Sequence, residues 1–290
     1  MLLGAIDIGS NAVRFLVSSA EKFDEWHFQR VEYLRYPLRL GEDVFTKKAI
    51  SKVKIEKLLK LMDAFSTMFE VFEVEGYKAC ATSAMRDAIN GKEVIALVKE
   101  KTGVQIEIID GNKEADLIDR AIIRTLTKGN FIHVDVGGGS TELNLISDFK
   151  KIASRSFNIG TVRAIHHGIS NEQWAEIEQW VHQHANGNYS DIAAVGTGGN
   201  IKKLHELSEI KENEAVSFDK LVSLTDNIRK MTIKERMRDF KLNQDRADVI
   251  VPAAEIFINI MKWSKSKKIF APNVGLVDGI IADQFYERYS

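Results

Sequence analysis

Apolar positions along the chain follow two rhythms, and the places where one gives way to the other mark its elements. Leu3 to Gly9 is a near-continuous apolar run broken by one acid, Asp7, which predicts a buried strand; Val13–Val17 predicts its return and Trp26–Tyr33 a third strand. Ile50, Val53, Leu58, Leu61, Phe65 and Phe69 then recur at helical spacing. Tyr77–Thr82 and Val104–Ile109 read as short strands. Leu117, Ile118, Ala121, Ile122 and Thr125 form the stripe of a further helix.

After Gly129-Asn130 the pattern restarts. Phe131–Gly137 is a strand running into a glycine turn, with Glu142–Ile146 as its return and Ile152–Phe157 following. A helix is expected near Asn171–His184, where Trp174, Ile177 and Val181 share a core face. Ile192–Val195 is a strand ending in another glycine turn. Thr232 with Glu235 is a capping-box start, and Val249–Trp263, interrupted by Pro252, Glu255 and Asn259, reads as a buried helix. Strands interleaved with helices in both halves predict two α/β domains.

Composition narrows the class. At roughly 150 residues per domain, 290 residues suit two domains. Forty Lys+Arg against 41 Asp+Glu leave a net charge of −1, which argues against a nucleic-acid binder. The single cysteine, Cys80, excludes an internal disulfide framework and a cysteine metal cluster, and suits a cytoplasmic setting. The first residues lack the basic segment of a secretory signal, and no apolar stretch is long enough to span a membrane.

The repeat carries the chemistry. Each half opens with a strand that delivers an aspartate to a turn of small residues: Asp7 before Gly9-Ser10-Asn11, and Asp135 before Gly137-Gly138-Gly139-Ser140-Thr141. Such turns expose backbone N–H groups and short hydroxyls to anions. Asp7 is a candidate for a metal or its water. Arg14, inside an apolar strand, needs a partner, either phosphate or carboxylate. Asp135 and Glu142 flank the second turn as hard oxygen ligands suited to Mg²⁺ or a similar divalent cation. Gly196-Thr197-Gly198-Gly199-Asn200 is a third such turn, opening a helix.

Arg86 follows the hydroxyl pair Thr82-Ser83 and is placed to clamp phosphate. Glu114 falls in the first turn of a helix; on spacing alone it complements the helix dipole, the other role being to orient or deprotonate an attacking water. His166-His167, His182 and His184 lack supporting ligands. Lys262, Lys265, Lys267 and Lys268 read as a solvated face. No histidine precedes aspartate, and no Gly-x-x-x-x-Gly-Lys-Ser/Thr loop is present.

Residues 5–11, 81–87, 135–142 and 196–199 together resemble the exopolyphosphatase/guanosine pentaphosphatase (Ppx/GppA) family, of the actin, sugar-kinase and Hsp70 ATPase superfamily, in order up to Gly275–Gly279. The resemblance implies two related actin-like (ribonuclease H-like) α/β domains, residues 1–125 and 126–290, with mixed sheets flanked by helices, an interdomain cleft, and a last helix able to pack back on the first domain. It implies Glu114 as catalytic base and magnesium at Asp135 and Glu142, with Asp7 a further candidate. Phosphate would be held by Ser10, Asn11, Arg14, Arg86, Gly138, Gly139, Ser140, Thr141, Gly198 and Gly199. The implied reaction releases orthophosphate from inorganic polyphosphate. The alternatives are guanosine pentaphosphate as substrate, or a non-catalytic (p)ppGpp-binding regulator. A homodimer is implied, with neither nucleic acid nor membrane as partner. Lys113, Asp116 and Val277 depart from the family pattern.

Overall fold

Strand β1 (Leu2–Ile8) is apolar at nearly every position because both of its faces are covered. The computed structural model describes residues 1–22, 26–185, 189 and 191–289, and only the backbone of Lys22, Trp26 and Tyr289. The chain divides into one unit of Met1–Ala121 with Gly275–Ser290 and a second of Ile122–Val274.

In the first unit β1 is followed by β2 (Val13–Lys22), β3 (Trp26–Tyr36), α1 (Leu40–Lys47), α2 (Lys52–Val71), β4 (Gly76–Ala81), α3 (Ser83–Asp87), α4 (Gly91–Thr102), β5 (Ile106–Ile108) and α5 (Gly111–Ile122). The sheet order is β3-β2-β1-β4-β5. Strands β1 and β2 are antiparallel, whereas β1, β4 and β5 run parallel. The core of α2 is Leu58, Met62, Phe65 and Phe69. Phe15 lies 4.7 Å from the rings of both Phe65 and Phe69, which binds the helix to the sheet. That phase turns Val53 outward, 62% exposed, against expectation. Ile50 is buried but precedes the helix, where the Asn90 side chain pairs with its N–H and C=O, both at 2.9 Å.

The second unit contains β6 (Asn130–Val136), β7 (Thr141–Ser147), β8 (Lys150–Phe157), α6 (Thr161–His167), α7 (Asn171–Ala185), β9 (Ala193–Thr197), α8 (Gly199–Leu207), β10 (Val216–Ser217), α9 (Phe218–Lys230), α10 (Ile233–Asp239), α11 (Gln244–Ala247), α12 (Ile250–Trp263) and β11 (Lys268–Phe270). Its sheet order, β10-β11-β9-β6-β7-β8, contains the order of the first sheet, with β10 added at the edge. Ile132, Val134, Leu143 and Leu145 join Ile177, Val181, Ile256, Phe257 and Ile260 in one core. The capping box at Thr232 and Glu235 forms.

The last helix, α13 (Leu276–Tyr289), returns to the first unit and packs on β1, β2 and β4. Gly275–Ser290 group with the first unit. Gln284 Nε2 donates to the Gly4 carbonyl at 2.8 Å, and Lys78 meets Asp283 at 2.8 Å and Glu287 at 2.7 Å. Asp278 takes a two-pronged contact from Arg30 at 2.7 and 2.9 Å. Among the described residues no helix is long and apolar enough to cross a membrane.

Candidate active site

In the first unit the candidate residues gather at the carboxyl ends of parallel strands, the edge at which α/β sheets present ligand-binding loops. Asp7 and Arg14 stand opposite each other in the β1–β2 register, and their side chains form an ion pair. Of the two partners expected for Arg14, the carboxylate is thus present, and Asp7 is balanced by it. The connecting turn closes through Gly9 N–H to the Ala12 carbonyl at 3.1 Å. It is tied down by Gly41 N–H on the Ser10 carbonyl at 2.8 Å, by Arg39 N–H on the Asn11 carbonyl at 2.9 Å, and by the Ser10 and Ser83 hydroxyls, 2.8 Å apart.

Ser83 opens the short helix that carries Arg86, whose Nη1 donates to the Ile109 carbonyl at 2.7 Å. That bond fixes the guanidinium against the end of β5. Asp110 then starts α5: its Oδ1 accepts from Lys113 N–H at 2.8 Å and its carbonyl from Glu114 N–H at 3.0 Å. Glu114 sits in this first turn, 7% exposed. The Lys113 ammonium meets Glu107 at 2.6 Å. Cys80, buried on β4, has its thiol pushed up to about 12 by burial and by the charges of Glu107 and Asp7.

The second unit repeats the design with more glycine. Asp135 and Glu142 face each other in the β6–β7 register, each offering a carboxylate oxygen within 4.8 Å of the other's. Glu142 is fully buried and accepts from Ser156 Oγ at 2.8 Å; Asp135 Oδ1 accepts from Thr197 Oγ1 at 2.5 Å. The turn closes through Gly137 N–H to the Ser140 carbonyl at 2.9 Å. Its outer side is buttressed by α6. Thr161 N–H donates to the Gly137 carbonyl at 3.0 Å, and Val162 and Arg163 N–H to that of Gly138 at 2.9 and 3.0 Å. Arg163 Nε adds a bond to the Gly139 carbonyl at 2.9 Å. With its carbonyls bonded to the start of α6, the turn is held in one place.

Gly160 makes this contact possible, since a Cβ there would lie 2.4 Å from Gly139 N and 2.5 Å from Gly138 C. Gly198, at φ 94°, lies beside Asp135 and precedes α8, while Gly199 lies next to Arg246. Ser140 is buried within the turn, and the Thr141 hydroxyl donates to the Ile159 carbonyl at 2.6 Å. Sequence reasoning missed Ser156 and Arg163, and placed Thr197 in a glycine turn without its bond to Asp135. Ser156 was signalled only as a polar residue at an alternate position of β8, which has meaning once the register is known, and Arg163 carried no signal.

A model of the Ppx/GppA phosphatase family matches residues 19–287. The chain is 29% identical to a bifunctional 3-dehydroquinate synthase/phosphatase of Fusobacterium nucleatum, over 97% of this chain and 46% of that protein. It is 32% identical to exopolyphosphatase 1 of Mycobacterium tuberculosis, over 56% of this chain and 47% of that protein. The chain thus spans about half the length of these two relatives. A crystal structure of the Aquifex aeolicus Ppx/GppA family member matches with a TM-score of 0.81 at 23% identity, covering 100% of this chain and 99% of that one. The likeness in structure carries the fold, that of two actin-like domains with mixed sheets flanked by helices.

Proposed function

The chain belongs to the Ppx/GppA phosphatase family, and on that premise we propose that it hydrolyses phosphoanhydride bonds, releasing orthophosphate from the end of inorganic polyphosphate. The observation that carries this reading is the buttressed triple-glycine turn beside Asp135 and Glu142: a backbone without side chains, held next to two carboxylates, suits a phosphoryl group and its counter-ion. The donor set is entirely oxygen, and one carboxylate is fully buried, which fits a hard divalent cation such as Mg²⁺. Bound there, the cation would neutralise charge on the phosphate oxygens.

The remaining roles belong to the chain's own groups. Glu114, buried at the start of α5, takes the proton of the attacking water and aims it in line with the leaving phosphate. Arg86, anchored on the Ile109 carbonyl, and the N–H groups of Gly138 and Gly139 hold the terminal phosphoryl oxygens, with Asn11 and Ser140 as further donors. Asp7 and Arg14 act as a pair that fixes the first turn.

A second reading, guanosine pentaphosphate as substrate, draws support from the basic stretch of α9 and α10. Arg229 is paired with Asp226 and Glu255, Arg238 with Asp239, and Arg236 donates to the Ile228 and Ala247 carbonyls. A track for a long polyanion would leave such guanidinium groups uncommitted, so a short substrate suits them better.

Phosphate release from polyphosphate and from guanosine pentaphosphate, compared at equal phosphoryl concentration with and without Mg²⁺, tests both readings. Glu114→Gln is expected to lower kcat by about 10²- to 10⁴-fold with little change in KM. Near-normal turnover in that variant removes Glu114 as the base. Binding of (p)ppGpp without Mg²⁺-dependent release would point to a regulator instead.

A further inference from the structure

Beneath the Asp135–Glu142 row the sheet carries a second polar row, two of its members buried. Its members are His133 on β6, Asn144 opposite it on β7, and Ser154 opposite Asn144 on β8. His133 and Asn144 are fully buried. The alternate positions of the same strands, Ile132, Val134, Leu143 and Leu145, face the apolar core. A strand with one face in that core can hold valine or leucine on the other face too, so two fully buried polar side chains bonded to each other here call for a reason.

The hydrogen bonds run in one direction. Ser154 Oγ donates to Asn144 Oδ1 at 2.6 Å, which makes Nδ2 the atom of Asn144 that meets His133 Nδ1 at 3.1 Å. An amide nitrogen only donates, so His133 Nδ1 is the acceptor and Nε2 carries the proton. Nε2 lies 2.9 Å from Thr197 Oγ1, which accepts that proton and gives its own to Asp135 Oδ1 at 2.5 Å. The chain of donors Ser154, Asn144, His133 and Thr197 therefore ends on a carboxylate.

We propose that His133 is a positioning residue for a divalent cation, acting through Thr197 on Asp135. This rests on the reading of Asp135 as a metal ligand. The His133 N–H occupies the Thr197 oxygen from below and leaves the hydroxyl proton a single direction, toward Asp135 Oδ1. That bond fixes the rotation of the carboxylate, so its remaining lone pairs point where Glu142 also offers an oxygen. Such outer partners tune a metal site without touching the metal.

The test measures metal binding directly, by titrating the purified full chain with Mn²⁺ and following the EPR signal of the free ion. Asp135→Asn is expected to weaken binding most. His133→Val and Thr197→Val should each weaken it by about 10-fold, and the double variant should be no weaker than the weaker single, because both cut one chain. Thr197→Ser, which keeps the hydroxyl, should bind within about two-fold of the parent. The Thr197 pair decides the matter even if His133→Val fails to fold. Unchanged Mn²⁺ binding in Thr197→Val, with Asp135→Asn defective, overturns the positioning role. Unchanged binding in Asp135→Asn overturns it together with the metal reading beneath it.

Discussion

Replacing Gly160 by alanine tests whether the triple-glycine turn must be held in its observed place. The backbone at Gly160 is extended, with φ −153°, so alanine brings no conformational strain and the effect is purely one of space. The added Cβ would stand 2.4 Å from Gly139 N, 2.5 Å from Gly138 C and 2.6 Å from Gly138 O, where ordinary contact begins at 3.4 Å. All three atoms are backbone and cannot swing aside, so the turn or the start of α6 must retreat by about 1 Å. Displacements of this size at a phosphoryl site cost about 10²-fold in rate, and the overpacking costs about 1–3 kcal/mol of stability. Phosphate release gives kcat, and thermal unfolding separates that loss from destabilisation. Gly4→Ala is the control: its Cβ would meet the buried Phe69 ring at 2.3 Å, overpacking the core of the first unit. It should lower the melting temperature comparably while retaining most of kcat. If Gly160→Ala keeps wild-type kcat at the same loss in melting temperature, the buttress has no bearing on catalysis.

Three further outcomes follow from the same structure. Cys80, with its thiol pushed up to about 12 by burial, should react with a disulfide reagent at pH 8 at least about 10³-fold more slowly than an unfolded thiol; labelling at the unfolded rate would contradict its burial. Burial raises the Asp43 carboxyl, but the Ser51 hydrogen bonds and the Lys54 charge together bring it below its ordinary value. Its stabilisation is therefore present above about pH 4 and lost as pH falls through the depressed value, and Asp43→Asn should flatten the acid limb of a stability–pH curve. Lys78 is the converse: burial lowers it, but hydrogen bonds and charge from Asp283 and Glu287 raise it overall. Its contribution is complete below about pH 10.4 and lost as pH rises through the raised value, so Lys78→Met should flatten the alkaline limb.

What could be read in advance depended on whether the information lay along the chain or across it. The Asp7 and Asp135 turns were legible because an apolar run, one acid and a cluster of small residues are consecutive, and both form where expected. Strand β3 reaches Tyr36, beyond the expected Tyr33, because an edge strand with Tyr33, Leu34 and Tyr36 partly exposed shows no clean alternation. Val53 was placed on the buried stripe of α2 because it is apolar, although it lies five residues before Leu58 and so off the phase of the core face. The partner of Arg14 and the row from Ser154 to Thr197 needed strand register, which no local pattern contains. Glu114 is the intermediate case. Its place in the first turn of α5 was readable, but its burial was not, and spacing alone favoured an ordinary dipole role.

The return of α13 to β1, β2 and β4 sets an order on synthesis. A ribosome makes the chain from its amino end, so the first sheet emerges early yet lacks the helix that bonds Gly4 and pairs with Lys78 until residues 276–289 have followed. The second unit, continuous from Ile122 to Val274, has every residue it needs sooner. The half begun first is thus the half completed last, and its apolar strands wait longest for cover, which makes them the nascent chain's point of greatest exposure to aggregation and to chaperones.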